Sequence, residues 1–221
     1  EAGLLAAEGE QLIEVWAHLH RTGRPFVTWK FAAGIDGRSA AADGTSKWIT
    51  SAESRADVHR LRAEADAIVV GTGTVLTDNP RLTIRNEFDE LAAQQPLRVI
   101  VGETSIPSEF QIHNADAETI FVTVRDPNAV LGHLAKRGIH HVWLEGGPTL
   151  AGAWLDAGVI DRAVGYIAPT FLGAGSAAVN TSASTLSDQH RFDYREVTQI
   201  GPDLRVTLTP KTAKPTTGKE L

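Results

Sequence analysis

The amino-acid sequence predicts a single α/β domain, with a mixed, mostly parallel sheet, helices on both of its faces and a C-terminal antiparallel hairpin. Short apolar segments alternate with helical segments as far as residue 168, a pattern typical of a parallel sheet covered by helices. Two later segments with alternating apolar and polar residues are joined by Gly201-Pro202, which predicts the hairpin. No Pro-, Gly- or Ser-rich linker divides the 221 residues, so we expect one domain.

The chain begins with a predicted amphipathic helix over residues 4–20, where apolar residues recur at helical spacing. Gly23-Arg24-Pro25 ends this helix, because proline cannot continue it. We therefore interpret residues 1–23 as a leading helix and linker. Phe26–Ala33 is rich in apolar and β-branched residues and predicts a buried strand, and a Gly-rich loop follows over residues 34–45.

The segment Thr50-Ser51-Ala52-Glu53 predicts the start of the next helix, because a hydroxyl at the cap with Glu53 forms a capping box. That helix is expected to reach Glu64, and Ala65–Gly71 predicts a strand that leads into a loop. The other predicted elements are helices at about 127–137 and Pro148–Asp156, and strands at Leu97–Gly102, Thr119–Val124, His140–Leu144, Val159–Ala168, Phe192–Ile200 and Asp203–Leu208. The Lys-, Thr- and Pro-rich tail at 211–221 is expected to be disordered.

The composition excludes several classes of function. Lys and Arg total 21 against 27 acidic residues, a net charge of −6, which argues against nucleic-acid binding as the main function. The absence of cysteine excludes disulfides and thiolate chemistry and suits a reducing compartment, so we expect a cytoplasmic protein. No apolar run approaches the roughly 18 residues of a membrane span, so no membrane partner is expected. The histidines show no spacing typical of a metal site, and no metal is predicted.

Two glycine-containing junctions predict a phosphate-binding edge. Gly71-Thr72-Gly73-Thr74 ends a predicted strand and delivers amides and hydroxyls to the carboxyl edge of the sheet, where open α/β sheets bind ligands. Glu145-Gly146-Gly147-Pro148 ends another strand and opens a helix, whose amino terminus attracts anions. The alternative is that both glycine pairs only shape turns. Together the two junctions favour nucleotide binding.

A third glycine motif is not expected to bind a cofactor. Gly173-Ala174-Gly175-Ser176-Ala177-Ala178 formally matches the dinucleotide-binding pattern. It follows Pro169, lies late in the chain and does not open a strand–helix unit, which the pattern requires.

Several cations precede or follow these junctions in a chain that is acidic overall. Lys30 lies on the first strand, Arg62 near the end of the next helix, and Arg81 and Arg85 flank the segment Leu82-Thr83-Ile84. Guanidinium groups bind phosphate and carboxylate well, so this set favours a small anionic ligand. The alternative is that Arg62 and Arg81 are ordinary solvated charges.

Taken together, an ordered series of segments resembles the reductase domain of the bifunctional RibD proteins of riboflavin biosynthesis, within the dihydrofolate-reductase-like superfamily. The segments are Pro25–Ala33, Ile35–Arg38, Ser46–Ser51, Gly71–Val75, Asp78–Thr83, Glu145–Leu150, Ile167–Pro169 and Ile200–Leu204. The resemblance implies that residues 24–210 form an NADPH-dependent reductase domain.

The resemblance implies the reduction of 5-amino-6-(5-phosphoribosylamino)uracil to 5-amino-6-(5-phosphoribitylamino)uracil, with hydride from NADPH attacking the ribose C1′. The cofactor supplies the hydride chemistry and the protein positions the two ligands. Residues implied to bind the cofactor are Trp48, Thr50, Gly71, Gly73, Thr74, Gly146 and Gly147. A pocket for the 2′-phosphate is implied as well, and Arg125, which follows the Thr119–Val124 strand, is the candidate for it; the alternative is that Arg125 is a solvated strand-end charge. Residues implied to bind the substrate are Ser46, Arg62, Leu82 and Arg85, where the two arginines clamp its phosphate.

The implied catalytic residues are Lys30, Asp78 and Glu145. Lys30 would donate a proton or stabilise a developing charge, Asp78 would bind ribose hydroxyls or relay a proton, and Glu145 would accept from the substrate's amino groups. The sequence leaves these roles open. Family resemblance also implies a homodimer.

Two features depart from the family pattern. Gly34 replaces the usual small polar residue before Ile35-Asp36-Gly37. The zinc deaminase half requires cysteine ligands, which this chain lacks, so either a deaminase domain precedes Glu1 in the native protein or the chain is a stand-alone reductase. The helix at 4–20 favours the first explanation. Two other functions stay open: a reductase of the same fold acting on another heterocycle such as a dihydropteridine, and a catalytically silent nucleotide-binding module.

Overall fold

The computed structural model describes residues 3–86 and 88–211. Its strands are β1 (Phe26–Gly34), β2 (Ala67–Gly71), β3 (Leu97–Val101), β4 (Thr119–Val122), β5 (His141–Glu145), β6 (Arg162–Ala168), β7 (Phe192–Ile200) and β8 (Asp203–Pro210). Its helices are α1 (Ala6–Leu12), α2 (Glu14–Thr22), α3 (Ala52–Arg62), α4 (Thr72–Asp78), α5 (Pro127–Lys136) and α6 (Pro148–Asp156), with short 3₁₀ turns at Gln111–His113 and Leu186–Asp188.

In the described residues the strands form one eight-stranded sheet in the order β4-β3-β2-β5-β1-β6-β8-β7. The pairs from β4 to β6 are parallel, whereas β8 pairs antiparallel with both β6 and β7. The chain turns from β7 into β8 at Gly201, whose φ is +57°. The predicted α/β architecture, with a mostly parallel sheet and a closing hairpin, is confirmed.

Both faces of the sheet are covered, as the sequence predicts. Successive side chains of a strand point to opposite faces, so each strand contributes to two apolar layers. On one face, Leu131 of α5 and Trp154 of α6 share a buried cluster with Val69 of β2. On the other face, Val58 of α3 shares a second cluster with Ile68. The helices therefore bury both sides of the central strands and leave the carboxyl ends of those strands for the site.

The predicted leading helix over 4–20 is interrupted. The structure ends α1 at Leu12 and begins α2 at Glu14, with Ile13 between them outside helical geometry. The second helix is held by ion pairs: the Glu14 carboxylate contacts Arg162 of β6 and accepts from Arg195 Nη1 at 2.8 Å. These contacts connect α2 to two strands that lie far along the chain, and the helical spacing of the sequence gives no sign of them.

The predicted capping box is wrong by one residue. Ser51, and not Thr50, caps α3, and its side chain accepts from the Ser54 amide at 3.2 Å. Glu53 does not complete the cap. Instead the carboxylate of Asp203 accepts from the Ser51 amide at 2.8 Å and from Ser54 Oγ at 2.6 Å. A buried acid from β8 therefore takes the place of the local acid that the motif predicts, and α3 ends at Arg62, before Glu64.

Gly71 is followed by a helix and not by the predicted loop. The helix α4 begins at Thr72 and ends before Asn79, which adopts a left-handed φ of +42°. Val75 anchors this short helix in the core and is fully buried. Smaller differences concern strand ends: β2 begins at Ala67 and β6 at Arg162, two and three residues later than predicted.

At the C-terminal end, β8 extends to Pro210, beyond the predicted Leu208. Lys211, the first residue of the predicted disordered tail, donates its amide to Arg191 at 2.8 Å. Residues 212–221 lie outside the described residues, so the prediction of disorder there stays a prediction. None of the helices within the described ranges combines the length and apolar character needed to cross a lipid bilayer.

Candidate active site

A cleft of about 690 Å³ opens at the carboxyl ends of β1, β2, β3 and β5. This edge is where open α/β sheets bind ligands. The predicted site residues that line the cleft are Lys30, Ser46, Gly71, Gly73, Thr74, Asp78, Arg125, Glu145, Gly146 and Gly147. A second cavity of about 570 Å³, between the end of α6 and the segment around His190, contains none of the predicted residues. The first cleft is therefore the candidate active site.

Lys30 and Glu145 lie side by side in this cleft, because β1 and β5 pair in parallel with these two residues in register. Arg62, from the last turn of α3, reaches the same carboxylate: its Nε donates to Oε1 at 2.7 Å and its Nη2 to Oε2 at 2.5 Å. The indole N–H of Trp143 also donates to Glu145 Oε1. The carboxylate is thus held by one guanidinium and an indole at the end of β5, with Lys30 next to it on β1.

The electrostatics of this group follow from its burial. Burial raises the pKa of Glu145, but Arg62, Lys30 and the Trp143 indole outweigh it and bring that pKa to about 2. Burial lowers the pKa of Lys30. The negative charge of Glu145 raises this pKa and the positive charge of Arg62 lowers it, and the overall shift is downward. Glu145 is therefore a permanent anion at neutral pH, whereas Lys30 is prepared to give up its proton more readily than a lysine in water.

Asp78 lies on the opposite wall, at the end of α4. Burial raises its pKa, and Lys47 offsets part of this increase. The cleft thus combines one carboxylate whose pKa is lowered with one whose pKa is raised. Titratable groups whose surroundings move their pKa values in opposite directions are typical of acid–base sites.

The glycine junctions meet at the rim of the cleft. The Gly147 amide donates to Thr74 Oγ1 at 3.2 Å, which ties the start of α6 to the start of α4. A Cβ added at Gly73 would meet no atom within 4 Å, and at Gly71 or Gly147 the nearest atom would be 3.9 Å away. Gly147 caps α6 without a side-chain hydrogen bond, and the first amides of a helix lack intrahelical partners.

These observations fit the phosphates of a nucleotide cofactor. The exposed glycine backbone permits close approach, and the amino terminus of α6 offers amides and a positive dipole end. Arg125 lies at the rim beyond β4 with 70% of its side chain exposed, 3.8 Å from Glu103. A cation so weakly paired is available to a further phosphate group.

The remaining predicted residues do not line the cleft; they are Trp48, Thr50, Arg62, Leu82 and Arg85. Trp48 adopts a left-handed φ of +68°, and its exposed ring lies 4.1 Å from the Arg55 guanidinium. Arg55 also donates to the Thr50 carbonyl at 2.7 Å, so one arginine fixes both predicted cofactor residues. Leu82 is buried in the core, with a left-handed φ of +50°.

Arg85, like Arg62, lies close enough to the His59 imidazole to influence its charge. Its amide donates to His59 Nδ1 at 3.4 Å, and its guanidinium contacts Asp89. Burial and the charges of Arg62 and Arg85 lower the pKa of His59 to about 4, so this imidazole is neutral at pH 7. Both arginines that the resemblance assigns to the substrate phosphate are paired with carboxylates in this structure.

One wall of the cleft comes from the glycine motif that the sequence analysis set aside. Ser176 and Ala178 line the cleft opposite Ser39 and Ala40. The two segments are joined along their backbones: the Ser39 amide donates to the Ser176 carbonyl at 2.9 Å. A Cβ at Gly175 would lie 1.6 Å from the Ala40 carbonyl oxygen. Gly175 is therefore required for this close approach.

The structure explains why glycine occupies position 34. A Cβ there would lie 2.6 Å from the Thr170 carbonyl oxygen and 2.7 Å from Asp36 Oδ1. The Asp36 carboxylate accepts from the Leu172 and Gly173 amides at 2.7 and 2.9 Å. This departure from the family pattern thus accompanies a tight contact between the two loops that frame the cleft.

Sequence reasoning missed Ser39, Ser176 and Asp203. A serine in a loop carries no signal of its own, and Asp203 is 149 residues from its partner Ser54. Within residues 3–86 and 88–211, no group of three or more His, Asp and Glu side chains is arranged to hold a metal ion.

The chain resembles known proteins over nearly its whole length. A model of the RibD C-terminal domain family matches residues 25–206. The riboflavin biosynthesis protein RibD of Mycobacterium tuberculosis H37Rv is 47% identical, covering 95% of this chain and 66% of the relative, and the Escherichia coli K12 protein of the same name is 35% identical, covering 93% and 65%. The chain thus spans just under two thirds of these relatives.

Solved structures agree with these relatives. A structure of Acinetobacter baumannii RibD superposes with a TM-score of 0.83 at 32% identity, covering 92% of this chain and 63% of that one. A Thermotoga maritima protein, described as a diaminohydroxyphosphoribosylaminopyrimidine deaminase/5-amino-6-(5-phosphoribosylamino)uracil reductase, gives 0.84 at 29% identity, covering 95% and 63%. Fold, cleft and relatives lead to one conclusion: the chain belongs to the RibD C-terminal domain family.

Proposed function

We propose that this chain reduces 5-amino-6-(5-phosphoribosylamino)uracil to 5-amino-6-(5-phosphoribitylamino)uracil with NADPH. The observation that carries the proposal is the juxtaposition in one cleft of Lys30 and Glu145, whose carboxylate is paired with Arg62, with the uncovered glycine backbone at Gly71, Gly73 and Gly147. The first arrangement suits a polar, nitrogen-rich substrate, and the second suits a dinucleotide. The Thermotoga maritima relative is described by this reductase activity.

When bound, NADPH would supply the hydride. The protein's residues have separate tasks around it. The glycine junctions and the start of α6 hold phosphate groups, and Arg125 is the candidate partner of the 2′-phosphate, with Trp48 and Thr50 completing the cofactor site.

On the substrate side, Glu145 accepts hydrogen bonds from amino groups, because it is an anion at every pH above about 2. Lys30 provides a proton, since burial lowers its pKa. Asp78 binds ribose hydroxyls, and Ser46 lies in the same cleft. The Leu82 backbone is assigned to the substrate site by the family resemblance alone. Arg62 and Arg85 are the candidate partners of the substrate phosphate.

The test is oxidation of NADPH by the purified chain in the presence of freshly generated substrate, followed at the reduced-nicotinamide absorbance band. Lys30→Ala should lower kcat by about 100-fold or more, the usual contribution of a general acid, and leave the Kd for NADPH within about twofold. Lys136→Ala, at the exposed end of α5, is the matched control. Equal loss of NADPH binding and turnover in Lys30→Ala would contradict the assignment.

A related reductase acting on a dihydropteridine is the second candidate. The cleft itself would serve either heterocycle, and the cations at Arg62 and Arg85 discriminate, because a dihydropteridine carries no ribose phosphate. Arg85→Ala should raise KM for the phosphorylated substrate about 10-fold and leave a dephosphorylated analogue unchanged. Oxidation of NADPH by dihydrofolate but not by the pyrimidine would favour the second candidate. NADPH binding without any turnover would favour a silent module.

We further propose that the native protein carries a deaminase domain before Glu1. The curated relatives extend well beyond the segment that this chain matches, which supports the idea. We also expect a homodimer, measurable by size-exclusion chromatography with light scattering, and a cytoplasmic location, where NADPH is available.

A further inference from the structure

The two arginines assigned to the substrate phosphate are paired in very different ways. Arg62 and Glu145 form a bidentate pair in which the two side chains are only 14% and 13% exposed. Arg85 contacts Asp89 through one nitrogen, and the Asp89 side chain is 64% exposed. Breaking a buried pair leaves an uncompensated charge, whereas exposed pairs are screened by water and contribute little. The Arg85–Asp89 contact is therefore the one that a ligand can replace.

Asp89 bridges two guanidinium groups with its two oxygens. Oδ1 contacts Nη1 of Arg85, and Oδ2 accepts from Nη1 of Arg81 at 3.0 Å. An anionic oxygen on each of two arginines is also the arrangement that phosphate adopts with guanidinium groups. The pairing with Arg85 lowers the pKa of Asp89, so the carboxylate is charged throughout the neutral range.

Hydrogen bonds to Asn86 hold the backbone next to this carboxylate. The side-chain oxygen of Asn86 accepts from the Phe88 amide at 2.9 Å and from the Glu90 amide at 3.0 Å. The Asp89 amide donates to the Asn86 carbonyl at 3.1 Å, and Asp89 takes a left-handed φ of +63°. Among residues other than glycine, aspartate and asparagine tolerate this conformation best. The backbone, and not only charge attraction, therefore brings the carboxylate to Arg85.

We propose that Asp89 occupies the position on Arg85 where an anionic oxygen of the substrate's phosphate binds, and that phosphate displaces it. This inference rests on the proposed function, because it takes the phosphate of that substrate as the displacing group. Asp89 is then a specificity-determining residue: a ligand without phosphate leaves the carboxylate in place, and a ligand with phosphate must compete with it.

The variant Asp89→Asn tests the proposal, since it removes the charge, keeps the shape and suits the left-handed backbone. The probe is inorganic phosphate, titrated calorimetrically into the wild-type chain and the variant at fixed ionic strength. We expect Asp89→Asn to bind phosphate about fivefold more tightly, the effect of removing one nearby charge in a solvated site. The double variant Arg85→Ala/Asp89→Asn should lose this gain, which locates the phosphate at Arg85.

Asp193→Asn is the matched control. Asp193 is also an exposed acid (61%) paired with one cation, Lys211, and it lies on β7 at the opposite edge of the sheet from β4. It should bind phosphate like the wild type. Thermal unfolding of each variant checks that it is folded.

Three results would overturn the proposal: phosphate binding unchanged in Asp89→Asn, weaker binding, which would mean that Asp89 orients Arg85 for the anion, and no measurable binding to either protein. The titration needs no turnover, so it is independent of the proposed reaction. If the wild type does reduce the pyrimidine, Asp89→Asn should lower KM about fivefold at unchanged kcat. Failure of turnover in the wild type with tighter phosphate binding in the variant would contradict the proposed function alone.

Discussion

Arg62 and Glu145 form a bidentate ion pair, with nitrogen–oxygen distances of 2.7 and 2.5 Å, that joins the last turn of α3 to the carboxyl end of β5. The pair is nearly buried and lies beside Lys30. It therefore serves two purposes, since it joins α3 to β5 and fixes the charge of a carboxylate that lines the cleft.

Replacing Glu145 by Gln should destabilise the fold, because Arg62 and Lys30 would lose their counter-charge in a buried position. We expect a loss of about 3 kcal/mol or more in the free energy of unfolding, measured by urea denaturation at pH 7. Glu64→Gln, which removes an exposed acid paired with Arg60, should change this free energy by less than about 0.5 kcal/mol. An equal effect of both substitutions would contradict the role given to the pair.

The same pair predicts a dependence of stability on pH. The pKa of Glu145 is about 2 in the folded protein and 4.5 when unperturbed, so the unfolded chain takes up the proton first. The contribution of the ionised carboxylate is complete above pH 4.5 and is lost as the pH falls towards 2. The wild type should therefore lose more stability than Glu145→Gln over this interval. Parallel curves for the two proteins would count against the assignment.

The lowered pKa of Lys30 predicts how kcat depends on pH in the alkaline range. A proton donor must be protonated, and burial lowers the pKa of Lys30 from its ordinary value of 10.5. We expect kcat to decrease with rising pH along a limb whose midpoint lies below 10.5. Lys30→Arg, which stays charged, should abolish that limb and retain only residual turnover. A limb that persists unchanged in this variant would assign the titration to another group.

Gly175→Ala tests the close contact between the loop that contains Ala40 and the loop that contains Gly175. Its Cβ would lie 1.6 Å from the Ala40 carbonyl oxygen, so the backbone must move. We expect a loss of about 1 to 3 kcal/mol in stability and a higher KM, because Ser39 and Ser176 would shift. Gly132→Ala is the matched control, since a Cβ there meets no atom within 4 Å. That variant should be as stable as the wild type or more so.

Asp203→Ala tests the long-range cap of α3. The substitution leaves the Ser51 amide and Ser54 Oγ without their acceptor in a buried place. We expect a stability loss of about 1 to 3 kcal/mol and weaker NADPH binding, because the segment with Trp48 and Thr50 precedes this cap. Asp203→Asn, which keeps one acceptor oxygen, should restore part of both properties. Full loss in the asparagine variant would show that charge, and not acceptance, matters.

The elements that sequence predicted well are those with local causes. Pro148–Asp156 and Phe192–Ile200 match the predicted bounds, since proline at a helix start and alternating side chains in a hairpin strand act within a few residues. The predicted loop after Gly71 was wrong because α4 is held by the burial of Val75 and has little helical signal of its own.

The candidate site also has one part that the sequence predicted and another that it did not. Glu145 and the glycines were predicted from their places at strand ends, whereas Lys30 and Asp78 were assigned by the family resemblance, and the structure brings all of them to one cleft. Their chemistry was not predictable. Nothing in the sequence shows that Arg62 binds Glu145, 83 residues away, or that Asp89 forms an ion pair with Arg85.

The sequence by itself determined the class of fold, the carboxyl edge as the place of the site and the types of side chain available there, because periodicity, glycine and proline act over short stretches of chain. Only the tertiary structure decided which charges are paired, which carboxylate is buried and which loop forms the wall at Gly175. Those properties depend on distances between segments far apart in sequence, and the electrostatic energy of each group depends on the surroundings that those segments supply.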